Sequence, residues 1–264
     1  MSNFVTALKS FGQHFLTDKN VLENITDVIK RNYNQETLIE IGPGTGALTD
    51  YLLKNFPTVT CIEVDHRCVE LLKNKYALNN KFSIVEADFL RFDLKSFLQT
   101  PTAVVGNFPY NISSQIVFKV LEYCDSIPFM VGMFQKEMAE RIASPHGSKE
   151  YGVISVLTQL LYEVKLEFDI APNSFSPPPK VMSSVISMRR RENINFDFDY
   201  KLGDSFVFGK ETKGLPPEII NAHPHQAVTI PQPGKVRSLN LATAVAISVY
   251  EGFRQISGPK INLD

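Results

Sequence analysis

Residues 37–46 read TLIEIGPGTG, and the rest of the chain is organised around them. Thr37, Leu38, Ile39 and Ile41 have the branched, apolar character of a buried strand, and Gly42, Gly44 and Gly46 form the turn after it. Residues 47–56 then place Leu48, Leu52 and Leu53 on one helical face. A strand that breaks into glycines before a helix brings backbone N–H groups close to whatever lies over the sheet edge. The spacing is G-x-G-x-G, not the dinucleotide fingerprint G-x-G-x-x-G, whose third glycine seats a helix against a pyrophosphate. Taken alone, such a loop is also compatible with a tight structural corner.

The composition bounds what surrounds this loop. A chain of 264 residues holds one large domain, or a domain of about 200 residues with an appendage, and either buries a sizeable core. With 44% apolar and 21% charged residues it reads as an ordinary globular protein. A net charge of −1 does not advertise nucleic acid, although a local basic patch acts through its own field whatever the sum. Cys61, Cys68 and Cys124 are odd in number and lack metal-ligand spacing, so they read as reduced, buried thiols of a cytoplasmic protein without a metal. The N-terminus lacks an apolar signal core, and no run approaches the ~20 apolar residues of a membrane span.

The loop spacing resembles the nucleoside-binding loop of Rossmann-like S-adenosylmethionine methyltransferases, and the following segments supply its partners. Residues 58–64, TVTCIEV, form a second strand ending in Glu63 and Asp65. A carboxylate about 20 residues past the loop, at the end of the adjacent strand, is where a ribose diol is held; a solvent-facing charge is the alternative. A third strand, 81–86, ends at Asp88 and Phe89, an acid to accept from an adenine amino group and a ring to flank it. The fourth strand, 102–106, runs into Asn107-Phe108-Pro109-Tyr110. An adenine amino group is a poor nucleophile because its lone pair is delocalised into the ring. The Asn107 side-chain oxygen and the Phe108 carbonyl would hold its hydrogens and turn the lone pair toward a methyl donor, an effect of position rather than of a strong base. Pro109 stiffens the turn, and Tyr110 offers a face to a base taken out of its stack. An Asn-Pro turn with a core tyrosine is the bland alternative.

Ahead of the loop, Asp18 reads as the N-cap of a helix over 19–31, and Phe11, Phe15 and Leu16 as a hydrophobic plug beneath it. Beyond the tetrapeptide come a fifth strand at 127–134, helices at 135–143 and 152–162, a sixth strand at 163–170 and a seventh at 183–189. Between the last two, SFSPPPKV (174–181) is a stiff arm that presents Phe175 near Tyr110 as a second stacking surface. Arg189, Arg190 and Arg191 form a basic run that reads as a solvated edge or a phosphate contact.

Together FGQHFLTD, EIGPGTG, CIEVD, EADF, GNFPYNIS, QKEMAERI and SFSPPPKV resemble the ribosomal RNA adenine dimethyltransferase family over about residues 5–200. The resemblance implies an α/β, Rossmann-like class I methyltransferase fold with a mostly parallel seven-stranded sheet and helices on both faces. It implies S-adenosylmethionine as donor and small-subunit rRNA of the 30S precursor as partner, with dimethylation of two adjacent adenines near its 3′ end. By the same resemblance His14, Leu16, Gly42, Glu63, Asp88 and Asn107 contact the donor, which replaces the plug reading for Leu16, and Asn107, Pro109 and Tyr110 handle the target base. Relatives that methylate large-subunit rRNA share the core, but the long SFSPPPKV arm is more similar to the small-subunit branch.

The C-terminus departs from that family's pattern. The basic helix with an Asn-Gln-Arg-Arg-Lys-type motif is absent, and from Gly203 the text GKETKGLPPEII and VTIPQPGKVRSLNLATAVAISVYEGFRQ resembles the C-terminal half of a SPOUT-class tRNA ribose 2′-O-methyltransferase. The expected division is therefore a methyltransferase domain at 1–200 and a half-SPOUT α/β segment at 203–264. Gly209, Ile230 and Ser238 would match that family's donor pocket. Strands at 205–208 and 228–230, and a helix over 241–255 burying Val245, Val249 and Phe253, would need the missing half of the sheet beside them. A second active site is thus disfavoured, and the segment is expected to dock on the core, to mediate self-association through its apolar helix, or to stay partly disordered. Two further functions stay open: a non-catalytic assembly factor that binds small-subunit rRNA, and tRNA ribose methylation through the C-terminal segment.

Overall fold

The computed structural model describes residues 5, 7, 8, 12–95, 97, 98, 100–145, 148–192, 199–210, 213–230 and 240–257. The chain enters through a two-residue strand, β1 (Phe15–Leu16), and a helix, α1 (Lys19–Asn32). Asp18 caps α1: its Oδ1 accepts from the N–H groups of Asn20 and Val21 at 3.0 and 3.3 Å, satisfying two donors that a helix start leaves free. Then follow β2 (Thr37–Ile41), α2 (Ala47–Asn55), β3 (Val59–Glu63), α3 (His66–Lys75), β4 (Phe82–Glu86), β5 (Thr102–Asn107), α4 (Ser113–Glu122) and β6 (Phe129–Gln135). The rest of the sheet region is α5 (Lys136–Ala143), α6 (Val153–Leu161), β7 (Tyr162–Ile170), β8 (Phe175–Ser176) and β9 (Ser183–Arg190). Phe11, at the start of the expected plug, lies outside the described residues.

The seven long strands form one sheet in the order β4-β3-β2-β5-β6-β9-β7. The first five are parallel, and β9 runs antiparallel to both its neighbours. The central parallel strands β2, β5 and β6 are buried on both faces, so their text is a mostly apolar run and not an alternation, whereas β4 at the sheet edge is partly exposed. Leu38 of β2 packs with α1 and α2 through Leu22, Ile25 and Leu52, while Ile39 and Ile41 pack with α4 and α6 through Ile116 and Leu157. β2 pairs with β3 on one side and β5 on the other, so the connections diverge there and open a crevice at the carboxyl ends of these strands. All seven strands anticipated within residues 1–200 are present.

One contact was not anticipated. β1 pairs antiparallel with β8, Phe15 opposite Ser176 and Leu16 opposite Phe175, and the Thr17 N–H and hydroxyl both donate to the Ser174 carbonyl. The pairing sends Phe175 inward, 4% exposed, among Leu16, Ile170 and Val185. The expectation that Phe175 stacks on a target base is therefore corrected: its ring completes the core under the N-terminal segment. The basic run is also spoken for. Arg189 donates to the Asn32 carbonyl, Arg190 to the Cys124 and Leu161 carbonyls and to Asp125, and Arg191 to the Gln159 carbonyl, so the run ties the sheet edge to helix ends.

The C-terminal segment differs from a half-SPOUT α/β unit. Its described residues hold helices α7 (Pro217–Ala222) and α8 (Leu241–Ser257), and in place of strands at 205–208 and 228–230 there is a lone bridge between Lys210 and Gly214. Without sheet neighbours, a two- or three-residue extended stretch has no partner for its backbone groups. Ser238 lies outside the described residues. α8 docks by a different face from the one expected. Ile247 is 3% exposed against the core cluster, and the Tyr250 hydroxyl donates to the Phe118 carbonyl at 3.3 Å. Phe253 stands 64% exposed, with Val249 beside it. Replacing Ile247 by Ala should therefore cost about 2–4 kcal/mol in urea denaturation, as for other buried aliphatics, whereas Phe253→Ala should stay within about 0.5 kcal/mol. Equal effects at the two positions would mean that α8 does not dock through Ile247.

Candidate functional site

The crevice at the strand ends is a cavity of about 270 Å³. Gly42, Glu63, Asp88, Asn107, Pro109 and Tyr110 line it from the sheet side, and His14 and Leu16 from the N-terminal segment. The structure thus brings together the six residues that the adenine dimethyltransferase resemblance assigns to the donor, and leaves out Phe175. Gly209 and Ile230 do not line it.

The loop after β2 owes its shape to its glycines. Gly42, Gly44 and Gly46 have φ of +64°, +57° and +81°, which side chains rarely adopt. A Cβ on Gly44 would come within 2.9 Å of the Phe15 ring, so the N-terminal segment rests directly on the loop, whereas a Cβ on Gly42 would meet nothing within 4 Å. The Glu63 carboxylate holds the loop to the end of β3. Its Oε2 accepts from the Gly44 N–H at 3.0 Å, and its Oε1 from the Val64 and Asp65 N–H groups at 2.9 and 3.0 Å. Burial raises the Glu63 pKa, and these three donors oppose the rise. Next to it, Asp65 is held down to about 2, chiefly by Arg67, and its Oδ2 accepts from Gln13 Nε2 at 2.9 Å, a tether from the N-terminal segment to the cavity rim.

The tetrapeptide after β5 is anchored by Phe108. Its ring is fully buried, edge-on to Phe134, in a slot that exists because Gly106 and Gly132 carry no side chain: a Cβ on Gly132 would lie 2.2 Å from the ring. Gly132, in the middle of β6, is a residue whose role the sequence reading missed. The signal was a lone glycine inside an apolar strand, which marks a close approach of another group. Asn107 Nδ2 donates to the His14 carbonyl at 2.9 Å, which leaves the amide oxygen as the free acceptor. Tyr110 is fixed at both ends: its hydroxyl shares a 2.6 Å hydrogen bond with Ser183, and its ring stacks on His14 at 5.8 Å. The His14 Nδ1 in turn contacts the Pro177 carbonyl at 2.8 Å.

Beneath the loop is a second acid that the sequence reading did not single out. Glu40 of β2 is 2% exposed, lines the cavity floor, and accepts from the Thr49 hydroxyl at 2.7 Å and the Cys61 thiol at 3.6 Å. Burial raises its pKa to about 7. It stands between Ile39 and Ile41 in a strand whose other residues carry the apolar signal, and the text holds no sign of its burial.

Residues 5–250 match the model of a family described as ribosomal RNA adenine dimethylase. The chain is 43% identical over 198 residues to the ribosomal RNA small subunit methyltransferase A of Cytophaga hutchinsonii, covering 75% of this chain and 76% of that one. It is 45% identical over 205 residues to the protein of the same name from Flavobacterium johnsoniae, covering 77% and 76%. Among solved structures it is similar to a dimethyladenosine transferase from Plasmodium falciparum, at 30% identity and a TM-score of 0.61 over 67% of this chain and 64% of that one. It is also similar to the 23S rRNA methyltransferase ErmE, at 30% identity and a TM-score of 0.60 over 67% and 70%. The family match runs past the point where the sequence motifs give out, into α8.

The buried acid gives a testable pH dependence. Because the folded pKa of Glu40 lies above its unfolded value, the folded state holds the extra proton, and this favourable term is complete below about pH 4.5 and is lost as pH rises through about 7. Glu40→Gln, which stays neutral and keeps an acceptor for Thr49, should gain on the parent with rising pH, by at most about 3 kcal/mol at pH 8. Parallel stability curves for the two proteins between pH 5 and 8 would show that Glu40 titrates normally.

Proposed function

The chain belongs to the ribosomal RNA adenine dimethylase family and is an S-adenosylmethionine-dependent rRNA adenine methyltransferase; from that premise we propose that it dimethylates two adjacent adenines near the 3′ end of small-subunit rRNA, acting on the 30S precursor. The observation that carries the proposal is the Asn107–His14 hydrogen bond, which turns the Asn107 amide nitrogen toward the N-terminal segment and leaves its oxygen as an acceptor for an amine in the cavity.

The residues present fit the methyl donor. Gly42 offers a backbone wall that no side chain fills, Glu63 and Asp88 offer acceptors for a ribose diol and an adenine amino group, and His14 and Leu16 close the cavity from the N-terminal side. When bound, the donor supplies an electrophilic sulfonium methyl. The chain's own part is positional. The Asn107 oxygen and the Phe108 carbonyl accept the hydrogens of the target amine and set its lone pair toward the methyl, while the buried Phe108 ring keeps that tetrapeptide from shifting. Burial raises the Tyr110 pKa, so its ring stays a neutral stacking face and not a base. With Phe175 in the core, His14 is the ring adjacent to Tyr110 and backs it, leaving the Tyr110 ring as the stacking surface for an unstacked base.

Incubation with small subunits from a strain lacking this methylation, with labelled donor, should place label in N6,N6-dimethyladenosine. Asn107→Ala should lower turnover at saturating donor by about 100-fold, and Tyr110→Ala by about 10-fold or more. Salt-sensitive binding to small subunits without any label would instead favour a non-catalytic assembly factor.

A further inference from the structure

Lys119 lies in the last turn of α4 and is 9% exposed, and among the described residues no carboxylate lies within ion-pair distance of it. Its Nζ donates to three backbone carbonyls of one turn: Phe89 at 2.6 Å, Leu90 at 3.1 Å and Phe92 at 2.5 Å. The ammonium also sits 5.1 Å from the centroid of the Phe89 ring. An ammonium has three N–H donors and no acceptor, so every donor is satisfied, and the converging negative ends of the carbonyl dipoles compensate the buried charge. A neutral side chain has too few donors for three carbonyls.

The turn it grips is the far wall of the donor cavity. Ala87, Asp88, Phe89 and Leu90 all line that cavity. Within the turn, Asp88 Oδ1 accepts from the Leu90 N–H at 2.9 Å, and the Asp88 carbonyl accepts from the N–H groups of Arg91 and Phe92. These local bonds close the turn; the Ala87 N–H, which donates to the Glu63 carbonyl at 2.9 Å, and the buried Phe89 ring join it to the sheet, and Lys119 ties its carbonyls to the helix behind. The charged groups that act on Lys119 are Glu122 on its own helix and Asp88 and Asp93 on the turn, and burial lowers its pKa against their pull.

We propose that Lys119 is a positioning residue for donor recognition: by tying the Phe89, Leu90 and Phe92 carbonyls to α4, it holds Asp88 where it accepts from the adenine amino group of S-adenosylmethionine. This rests on the reading of the cavity as the donor site. The signature of such a role is selective. Losing Lys119 weakens recognition of the adenine edge more than it weakens the fold or the chemical step.

The test is calorimetric binding of S-adenosylhomocysteine and of S-inosylhomocysteine, which carries an oxygen in place of the amino group, to the full-length protein and to Lys119→Met. The unaltered protein should prefer the adenosyl ligand. Lys119→Met should bind it about 10- to 100-fold more weakly, and the preference over the inosyl ligand should shrink toward unity. The donor KM should rise in parallel, with kcat at saturating donor within about 3-fold. Asp88→Asn should abolish the same preference, and the double variant should lose no more than either single one. Lys119→Gln, which retains a donor, should fall between and serves if the methionine variant does not fold. Full affinity and full preference in the Lys119 variants overturns the proposal, as does equal weakening of both ligands with the preference intact. Failure of the unaltered protein to bind S-adenosylhomocysteine would overturn the donor-site reading itself.

Discussion

The Glu63 carboxylate is the constraint on which the site depends. One of its oxygens holds the Gly44 N–H and the other the N–H groups of Val64 and Asp65, so a single side chain joins the loop after β2 to the turn after β3. A glycine loop with positive φ at three positions has little conformational preference of its own, and a buried acceptor gives it one. Burial works against the charge of this carboxylate and the three N–H donors sustain it. The loop's inner face is thereby set before any ligand arrives, at the point where the sheet's connections diverge.

The second layer is built from both ends of the methyltransferase region. The N-terminal segment crosses the cavity, presses Phe15 onto Gly44, pairs with β8, and is tethered by Gln13 to Asp65 and by the His14 carbonyl to Asn107. These links are mutually dependent: the Asn107 amide is oriented by the same segment that closes over the cavity. On the opposite side Lys119, in the last turn of α4, holds the carbonyls of the Asp88 turn, while Ser113 at the start of the same helix donates to the Tyr110 carbonyl.

The C-terminal residues give a different lesson. Their sequence suggested a fragment of another fold, yet an orphaned half-sheet has no way to satisfy its strand backbones. The described part forms helices, and α8 covers α4 and α6 through Tyr250 and Ile247. An amphipathic helix settles on whichever apolar surface is available, and here that is the core cluster of the methyltransferase sheet.

What the sequence determined by itself was the order and type of the sheet elements, the glycine loop, and the acids at the ends of β3 and β4, together with the Asn107–Tyr110 turn. These are legible because each follows from a local requirement: apolar runs for strands buried on both faces, glycine for positive φ, an acid or amide where a parallel strand ends. Only the tertiary structure decided which groups meet across long separations. Phe175 read as a stacking aromatic because nothing local reveals that Leu16 pairs beside it, and nothing in the text marks Glu40 or Lys119 as buried because burial is a property of the packed neighbours. The Asn107 amide meets the His14 carbonyl from 93 residues away, and no periodicity encodes that contact. A pattern records what a segment must be, whereas a hydrogen bond between distant segments exists only once the fold has brought both partners to the same edge of the sheet.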